Sequence, residues 1–546
     1  MVKDGFLSKL IGQGEDTVVR GGYSLTYYDE GTNMFAFNAG SNPGLGQTLT
    51  LQPGIGFVPG SLTLQTPLPP FVAFPTQYQE VFPQSDFTFA NGFRTMKDDL
   101  QTPSVHSWNI GLQRRITKDT VVEARYVGTK GNNVWRTSNL NEVNIFENGF
   151  LQEFKNAQNN LNINLANGRT GFANQGLPGQ VPLPIFEAAF GPRGSAPALS
   201  AAQGFTNGTF VTNLQQGTAG TLANSLAGNA NYACRLYGNT FTPCPRINAQ
   251  YNAPGPYPIN FFYLNPYANS QGAWLVDDQS YTNYHALQLQ LRRRFSQGLQ
   301  MNVNYTLGKN TGDIWADNST QEVNYRTLRD RSLDDGPLPF DVRHVFQTYG
   351  TYDLPFGKDR RWDLGNVILN GIVGGWTLGG TLTAQSGTPF RLTSGRNTVN
   401  QFTDSGVVLV NGTTVEDLQK MIKLSPGPGL ARYWVDPKLI GPDGRANPEY
   451  LAVPTEPGEF GTFVTLRSMA TWNLDGSLNK DFDLPGRAAL RIHVTMTNVF
   501  NHPIWGTPGF LGSANITSTT FAQTTAPLNQ PGGYGRQMYL RAEVRF

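Results

Sequence analysis

The sequence predicts an all-β protein: a transmembrane, antiparallel, up-and-down β-barrel of which about ten strands are present. Three observations carry this. The first is composition. Of 546 residues, 15% are charged and 12% aromatic, with 61 Gly and 36 Pro. Ordinary soluble domains carry roughly 25% charged residues. Mean hydropathy is nevertheless −0.34, and no apolar run nears the ~18 residues that a spanning helix needs. The second is strict apolar/polar alternation in ten segments of about ten residues, the length of a tilted membrane strand. The third is the sorting of the connections between them by length.

The strands follow in order. Segment 18–28 sets Val19, Tyr23, Leu25 and Tyr27 against Arg20, Ser24 and Thr26. Segment 105–115 sets Trp108, Ile110 and Leu112 against Ser107, Asn109 and Gln113. In 121–129, Val122, Ala124 and Tyr126 oppose Glu123 and Arg125. Segments 283–295 and 299–309 form the cleanest hairpin, joined by Ser296, Gln297 and Gly298. The first carries Leu287, Leu289 and Leu291 on one face, and the second Met301, Val303, Tyr305 and Leu307. Segment 342–353 alternates less cleanly, with aromatics on both faces. Segment 374–385 lines up Trp376, Leu378, Leu382 and Ala384, and 469–482 lines up Trp472, Leu474, Leu478 and Phe482. Segment 488–498 opposes Leu490, Ile492, Val494 and Met496 to Arg491, His493, Thr495 and Thr497. The tenth, 536–546, alternates to the last residue.

The connections run about 76, 5, 153, 3, 32, 20, 83, 5 and 37 residues. Long and short alternate throughout. In an up-and-down barrel, alternate connections share an end, and outer-membrane barrels have short periplasmic turns and long extracellular loops. The long loops are then 29–104, 130–282, 310–341, 386–468 and 499–535, with some strand extensions of their own. They are rich in Gly, Pro, Asn and Thr. Aromatics near strand ends (Tyr27, Trp108, Tyr126, Tyr352, Phe356, Trp376, Phe482, Phe500, Phe546) fit an interfacial girdle. A soluble secreted all-β protein, carbohydrate-active given its aromatics, is one competing reading. A stand-alone passive porin or adhesin-like barrel is another.

The residues predict no bond chemistry and no cofactor. There is no metalloprotease, nucleophile-elbow or phosphate-loop motif, and the five His are scattered. His502 reads as part of a strand exit. The acidic stretch Asp330, Asp334, Asp335 and Asp341 lacks calcium-loop spacing and reads as a solvated turn. The face predicted to line the lumen carries Arg125, Arg292, Arg343, Arg491, His493, Arg541 and Arg545, with Glu123 and Glu543 as counter-charges. A basic lumen favours anionic solutes; charges paired across strands are the plainer reading. Net charge is +2, which points to no nucleic-acid partner. Cys234 and Cys244, in a Pro/Gly/Asn-rich stretch, suggest a loop disulfide and an oxidising compartment; two free thiols are the alternative. The N-terminus lacks the apolar stretch and cleavage site of a signal peptide.

The terminal strand ending in Phe546, with Tyr539 within it, resembles the C-terminal signature of bacterial outer-membrane proteins. More specifically, "RGGYSLTYYDEG", "SVHSWNIGLQRRITKDTVVEARYVGTKG", "NYHALQLQLRRRFSQGLQMNVNYTLGK", "DVRHVFQTYGTYDLPFGK", "GGWTLGGTLTAQSGTPF" and "TNVFNHP" occur in an order that resembles the barrel of Oar-like TonB-dependent receptors. The cysteine pair in a long loop matches as well. The resemblance covers most of residues 10–546. It implies a C-terminal part, 1–546, of a larger barrel that holds an N-terminal plug. It also implies a place in the outer-membrane lipid, recognition of Tyr539 and Phe546 by the barrel-assembly machinery, and coupling to the TonB complex through the plug. The solute is left unspecified. The plug, the signal peptide and the early strands are expected to precede this sequence.

Overall fold

The computed structural model describes residues 16–28, 52–53, 56–57, 93–191, 203–241, 243–268, 272–315, 323–358, 360–429, 431–483, 488–506, 513–524 and 535–545. All ten alternating segments are strands: β1 (Thr17–Tyr27), β2 (Ser104–Thr117), β3 (Thr120–Asn139), β4 (Ala273–Ser296), β5 (Leu299–Gly312), β6 (His344–Asp353), β7 (Trp376–Gln385), β8 (Thr471–Asp483), β9 (Ala489–Thr497) and β10 (Gln537–Arg545). They pair antiparallel in chain order within one sheet. Two short strands join it: Phe93–Met96 runs parallel beside β4, and Gly336–Pro337 pairs with β5. Among the described residues β1 and β10 do not pair with each other, so the sheet is a partial barrel.

Register explains why alternation along each strand becomes a property of the whole sheet. Val19, Leu112, Ala124, Leu289, Tyr305, Phe346, Ala384 and Trp472 stand opposite one another from strand to strand. One residue away, Val18, Gln113, Glu123, Gln290, Asn304, Gln347, Thr383 and Asn473 form the matching row of the other face. A side-chain period of two keeps the faces separate across all ten strands. Up to Lys130 on β3 and Asn283 on β4, no paired position of the apolar face among the described residues is Asp or Glu. Its large side chains stay exposed: Ile110 is 59% accessible and Leu540 73%. Such a surface needs lipid.

The upper limit of this face is marked three times. Tyr23 meets His106, Tyr126 meets His285 and Tyr305 meets His344, each hydroxyl 2.7 Å from the ring Nδ1. Each pair bridges two strands joined by a long connection. Lys130 and Lys309 stand directly opposite His106 and His285. At the same level Trp108 lies over Gly128, where an added Cβ would come within 2.2 Å of the indole. Glycine is therefore required there for packing.

The long connections are far from irregular. Strands β3 and β4 run on well past the predicted 121–129 and 283–295. Between them the described residues of the expected loop 130–282 form six helices: α1 (Phe150–Ala166), α2 (Pro184–Phe190), α3 (Gly208–Gln216), α4 (Ala219–Gly228), α5 (Ala230–Tyr237) and α6 (Cys244–Ile247). Helix α1 buries Phe150, Phe154, Ala157 and Leu161, one face at helical spacing. These pack with Phe172, Phe186, Phe190, Phe210, Tyr232 and Phe262 into a dry aromatic core. Cys234 and Cys244 lie inside it and are bonded, with Cα atoms 5.3 Å apart. A second core, from connections 386–470 and 498–536, surrounds Trp434 with Phe390, Leu392, Val407, Val464 and Phe521. Of the predicted loop 29–104, only parts lie among the described residues, the Phe93–Met96 strand included.

Candidate functional site

The polar face of the sheet is the candidate site. On β8, β9 and β10 the register aligns Asp481, Arg491 and Glu543 in one row, and Asn479, His493 and Arg541 in the next. Thr377 of β7 continues the second row. Thr377, Asn479, Arg491, His493, Arg541, Glu543 and Arg545 line a depression of about 440 Å³. Arg491 forms a two-pronged pair with Asp481, both contacts at 2.6 Å. Glu543 is shared: Arg545 reaches it at 3.0 Å and Arg541 at 3.3 Å. Three guanidiniums thus face two carboxylates, leaving one positive charge in excess. His493 contacts Asn479 through Nδ1 and Thr495 through Nε2, the latter at 2.7 Å.

Arg491, His493, Arg541 and Arg545 are therefore neighbours. Arg125, Arg292 and Arg343 are not. Arg125 pairs along β3 with Glu123 at 3.3 Å, and Arg292 stands opposite Asn302. Arg343 precedes β6, where its backbone N–H donates to the Ser386 hydroxyl at 3.0 Å. The principal counter-charge of the cluster, Asp481, is absent from the sequence-based set. The signal was present, because Lys480 and Phe482 on the apolar face force Asp481 onto the other. Tyr539 also lies on the polar face, opposite Thr495, and its hydroxyl donates to Gln537 at 2.6 Å. Phe546 lies outside the described residues.

The acidic stretch is a solvated turn only at Asp330 and Asp335, which are exposed. Asp334 is 4% and Asp341 1% exposed. Asp334 lies 3.9 Å from both Arg136 and Arg326, while Asp341 pairs with Arg467 and accepts the Asn310 N–H at 2.6 Å. Burial raises the Asp334 carboxyl above its ordinary range against the pull of those arginines. These aspartates are buried struts that tie the long connections to the sheet. No cluster of metal-ligating side chains occurs among the described residues. His502 stacks on Trp472, ring centres 4.4 Å apart, at the exit of β9.

A smaller depression, about 220 Å³, opens within the long-connection assembly and is lined by Trp315, Arg326, Arg391, Phe402, Asp404 and Phe463. Arg391 stacks on Trp315 at 3.9 Å and Arg326 on Phe463 at 3.7 Å. Burial, then Arg326 beside it, push Arg391 down to about 9. Asp404 is held by the N–H groups of Ser394, Gly395 and Gly406. The stacked guanidiniums suit a small planar or anionic group. Nothing in the sequence signals this pocket, because its residues lie outside the alternating strands.

A family model described as an outer membrane beta barrel domain matches residues 10–165 and 144–538. No curated protein matches the sequence. Among solved structures, the outer membrane transporter YddB from Escherichia coli is 11% identical over 83% of this chain and 34% of that one, with a TM-score of 0.32. The ferripyoverdine receptor of the outer membrane of Pseudomonas aeruginosa is 8% identical over 82% and 28%, with a TM-score of 0.29. The ferric-catecholate import receptor Fiu from E. coli K12 is 8% identical over 82% and 28%, with a TM-score of 0.28. The chain thus spans about a third of the length of these proteins.

Proposed function

The chain belongs to the outer membrane β-barrel domain family, and from that premise we propose that it is the C-terminal barrel portion of a TonB-dependent receptor of the Oar-like kind. Its place is the bacterial outer membrane. In this reading the apolar face meets lipid and the polar face lines the lumen. The long connections gather solute at the cell surface, and the solute passes inward when a plug moves. The chain supplies a path and a binding surface, with no bond made or broken. The observation that carries the reading is the unbroken polar face, with its Arg491–Arg541–Arg545 cluster, beneath connections that are long at one end only. The order of the sequence segments quoted above supports the Oar-like subtype. The stretches with Tyr539 and Phe546 would then meet the assembly machinery, and TonB would act through the plug.

Sequencing the coding frame upstream of Met1 tests this. The expected result is a continuous frame encoding a signal sequence and a plug. A stop codon and promoter immediately upstream would instead leave a stand-alone barrel. Planar-bilayer conductance of the native product gives a second readout, since a plugged receptor stays closed where a porin conducts steadily.

A further inference from the structure

The connection between β6 and β7 departs from the pattern of its end of the sheet. Its neighbours are the two-residue links 118–119 and 297–298, but here the chain forms a helix, α7 (Val367–Val373). None of its residues is buried. Val367 is 88% exposed, Ile368 73%, Leu369 48% and Ile372 59%. Trp362 and Leu364, just before it, are half-exposed as well. So dense a bare apolar group is not a water-facing turn.

The helix is nonetheless firmly held. Asn366 caps its start, accepting the N–H groups of Ile368 and Leu369 at 2.9 and 3.2 Å. Its end is held by the sheet. The Lys480 ammonium donates to the carbonyls of Gly371, Ile372 and Gly374, the last two at 2.8 and 2.7 Å. The Trp376 indole N–H donates to Ile372 at 2.9 Å. Lys480 and Trp376 stand opposite each other on the apolar face of β8 and β7. Lys480 is only 2% exposed, its ammonium 5.1 Å from the Trp376 ring centre and 4.7 Å from that of Phe482. The helix is therefore tied to the lipid side of the sheet, away from the lumen.

We propose that α7 is an interfacial anchor lying in the plane of the phospholipid leaflet at the short-turn end. Val367, Ile368, Leu369 and Ile372 enter the acyl boundary. Lys358, Arg360 and Arg361, all exposed, meet anionic headgroups. Two features choose lipid over another occupant. The helix is tied to Lys480 and Trp376 of the apolar face, so its bare side chains lie at the edge of the surface that meets lipid. The helix's terminal carbonyls, which acyl chains could not satisfy, already have a donor in Lys480. Only the identity of the leaflet rests on the receptor reading; insertion does not.

The test uses the full chain, whose two cysteines are disulfide-bonded. Ile368→Cys carries a polarity-sensitive fluorophore in vesicles of mixed neutral and anionic phospholipid. Lys118→Cys, at an exposed position of a plain two-residue turn, carries the same label as a control. Ile368→Cys should emit blue-shifted light, quenched several-fold more by nitroxide on shallow acyl positions than by aqueous iodide. Lys118→Cys should show the reverse. Lys480→Met should move the label at 368 toward the iodide-quenched state while heat-modifiable gel mobility persists. Should that variant not fold, Trp376→Phe removes one of the two ties and should give a smaller shift in the same direction. A label at 368 that is iodide-quenched in the otherwise native chain overturns the proposal. So does energy transfer between labelled copies that persists on dilution into excess lipid, because it makes a second copy the occupant.

Discussion

The ten-strand sheet and the α1–α6 assembly obey opposite rules with the same amino acids. The sheet displays Leu289, Ile110 and Leu540 to its surroundings and keeps Gln290, Asn304 and Arg491 on its other face. The assembly hides Phe154, Phe186 and Leu222 completely and leaves Lys155, Arg169 and Glu187 outside. One region is built against lipid, the other against water. Where an apolar side chain goes is thus decided by its solvent, and a chain crossing from membrane to water must switch rules mid-connection. The switch falls at the Tyr–His pairs that end the apolar face.

Four measurements put that contrast at risk. Phe154→Ala should destabilise the helical assembly by about 3–5 kcal/mol, through lost burial and the cavity left behind. Faster tryptic cleavage at Lys155 would report it, with unchanged heat-modifiable mobility of the barrel; a barrel that melted too would mean the regions are not separate. Leu289→Arg should cost about 2–4 kcal/mol in lipid vesicles, because it places a charge near the middle of the lipid-facing surface. Gln290→Arg, one residue away, should be nearly neutral by the same urea titration. Equal costs would dissolve the distinction between the faces.

The third measurement concerns Glu153, buried in the helical core, where its carboxylate accepts the Phe186 N–H at 2.8 Å. Burial outweighs that bond and raises its pKa from 4.5 to about 7. The folded state then holds its proton more tightly than the unfolded one. Stability from this group is full below pH about 4.5 and is lost as the pH rises to about 7, a fall of about 3 kcal/mol. Hydrogen exchange of α1 followed from pH 4.5 to 8 should show the loss, and Glu153→Gln should flatten it. The smallest effect is at the water-exposed turn, where Asp16 meets Arg115. Asp16→Asn should change stability by less than about 1 kcal/mol and vanish into noise at high salt.

Much of the sheet was legible because one physical variable, face, alternates residue by residue. Predicted 18–28 and 105–115 became Thr17–Tyr27 and Ser104–Thr117. Legibility failed wherever both faces meet protein. From Trp135 to Asn139, β3 is buried on either side, and Arg136 there pairs with Asp313 and Asp334; alternation has no reason to persist. Helix α4, AGTLANSLAG, carries only small residues and Leu on its buried face, too faint a pattern beside its glycines. The aspartate struts were unreadable for a different reason. Asp341 and its partner Arg467 lie far apart in the chain, so charge counting alone could not join them. The basic cluster on β9 and β10 was readable because both arginine-bearing strands alternate cleanly. Its assembly into one depression needed the register.

The sorting of long connections to one end also constrains how such a chain can diverge or be engineered. A single-residue insertion in β4 or β5 would exchange the remaining side chains of that strand between the apolar and the polar face. Whole peptides inserted in the long connections leave both faces in phase. Length variation among related genes should therefore gather in the stretches 28–103, 140–272, 313–343, 386–470 and 498–536. An epitope spliced there would be displayed on one side of the membrane only.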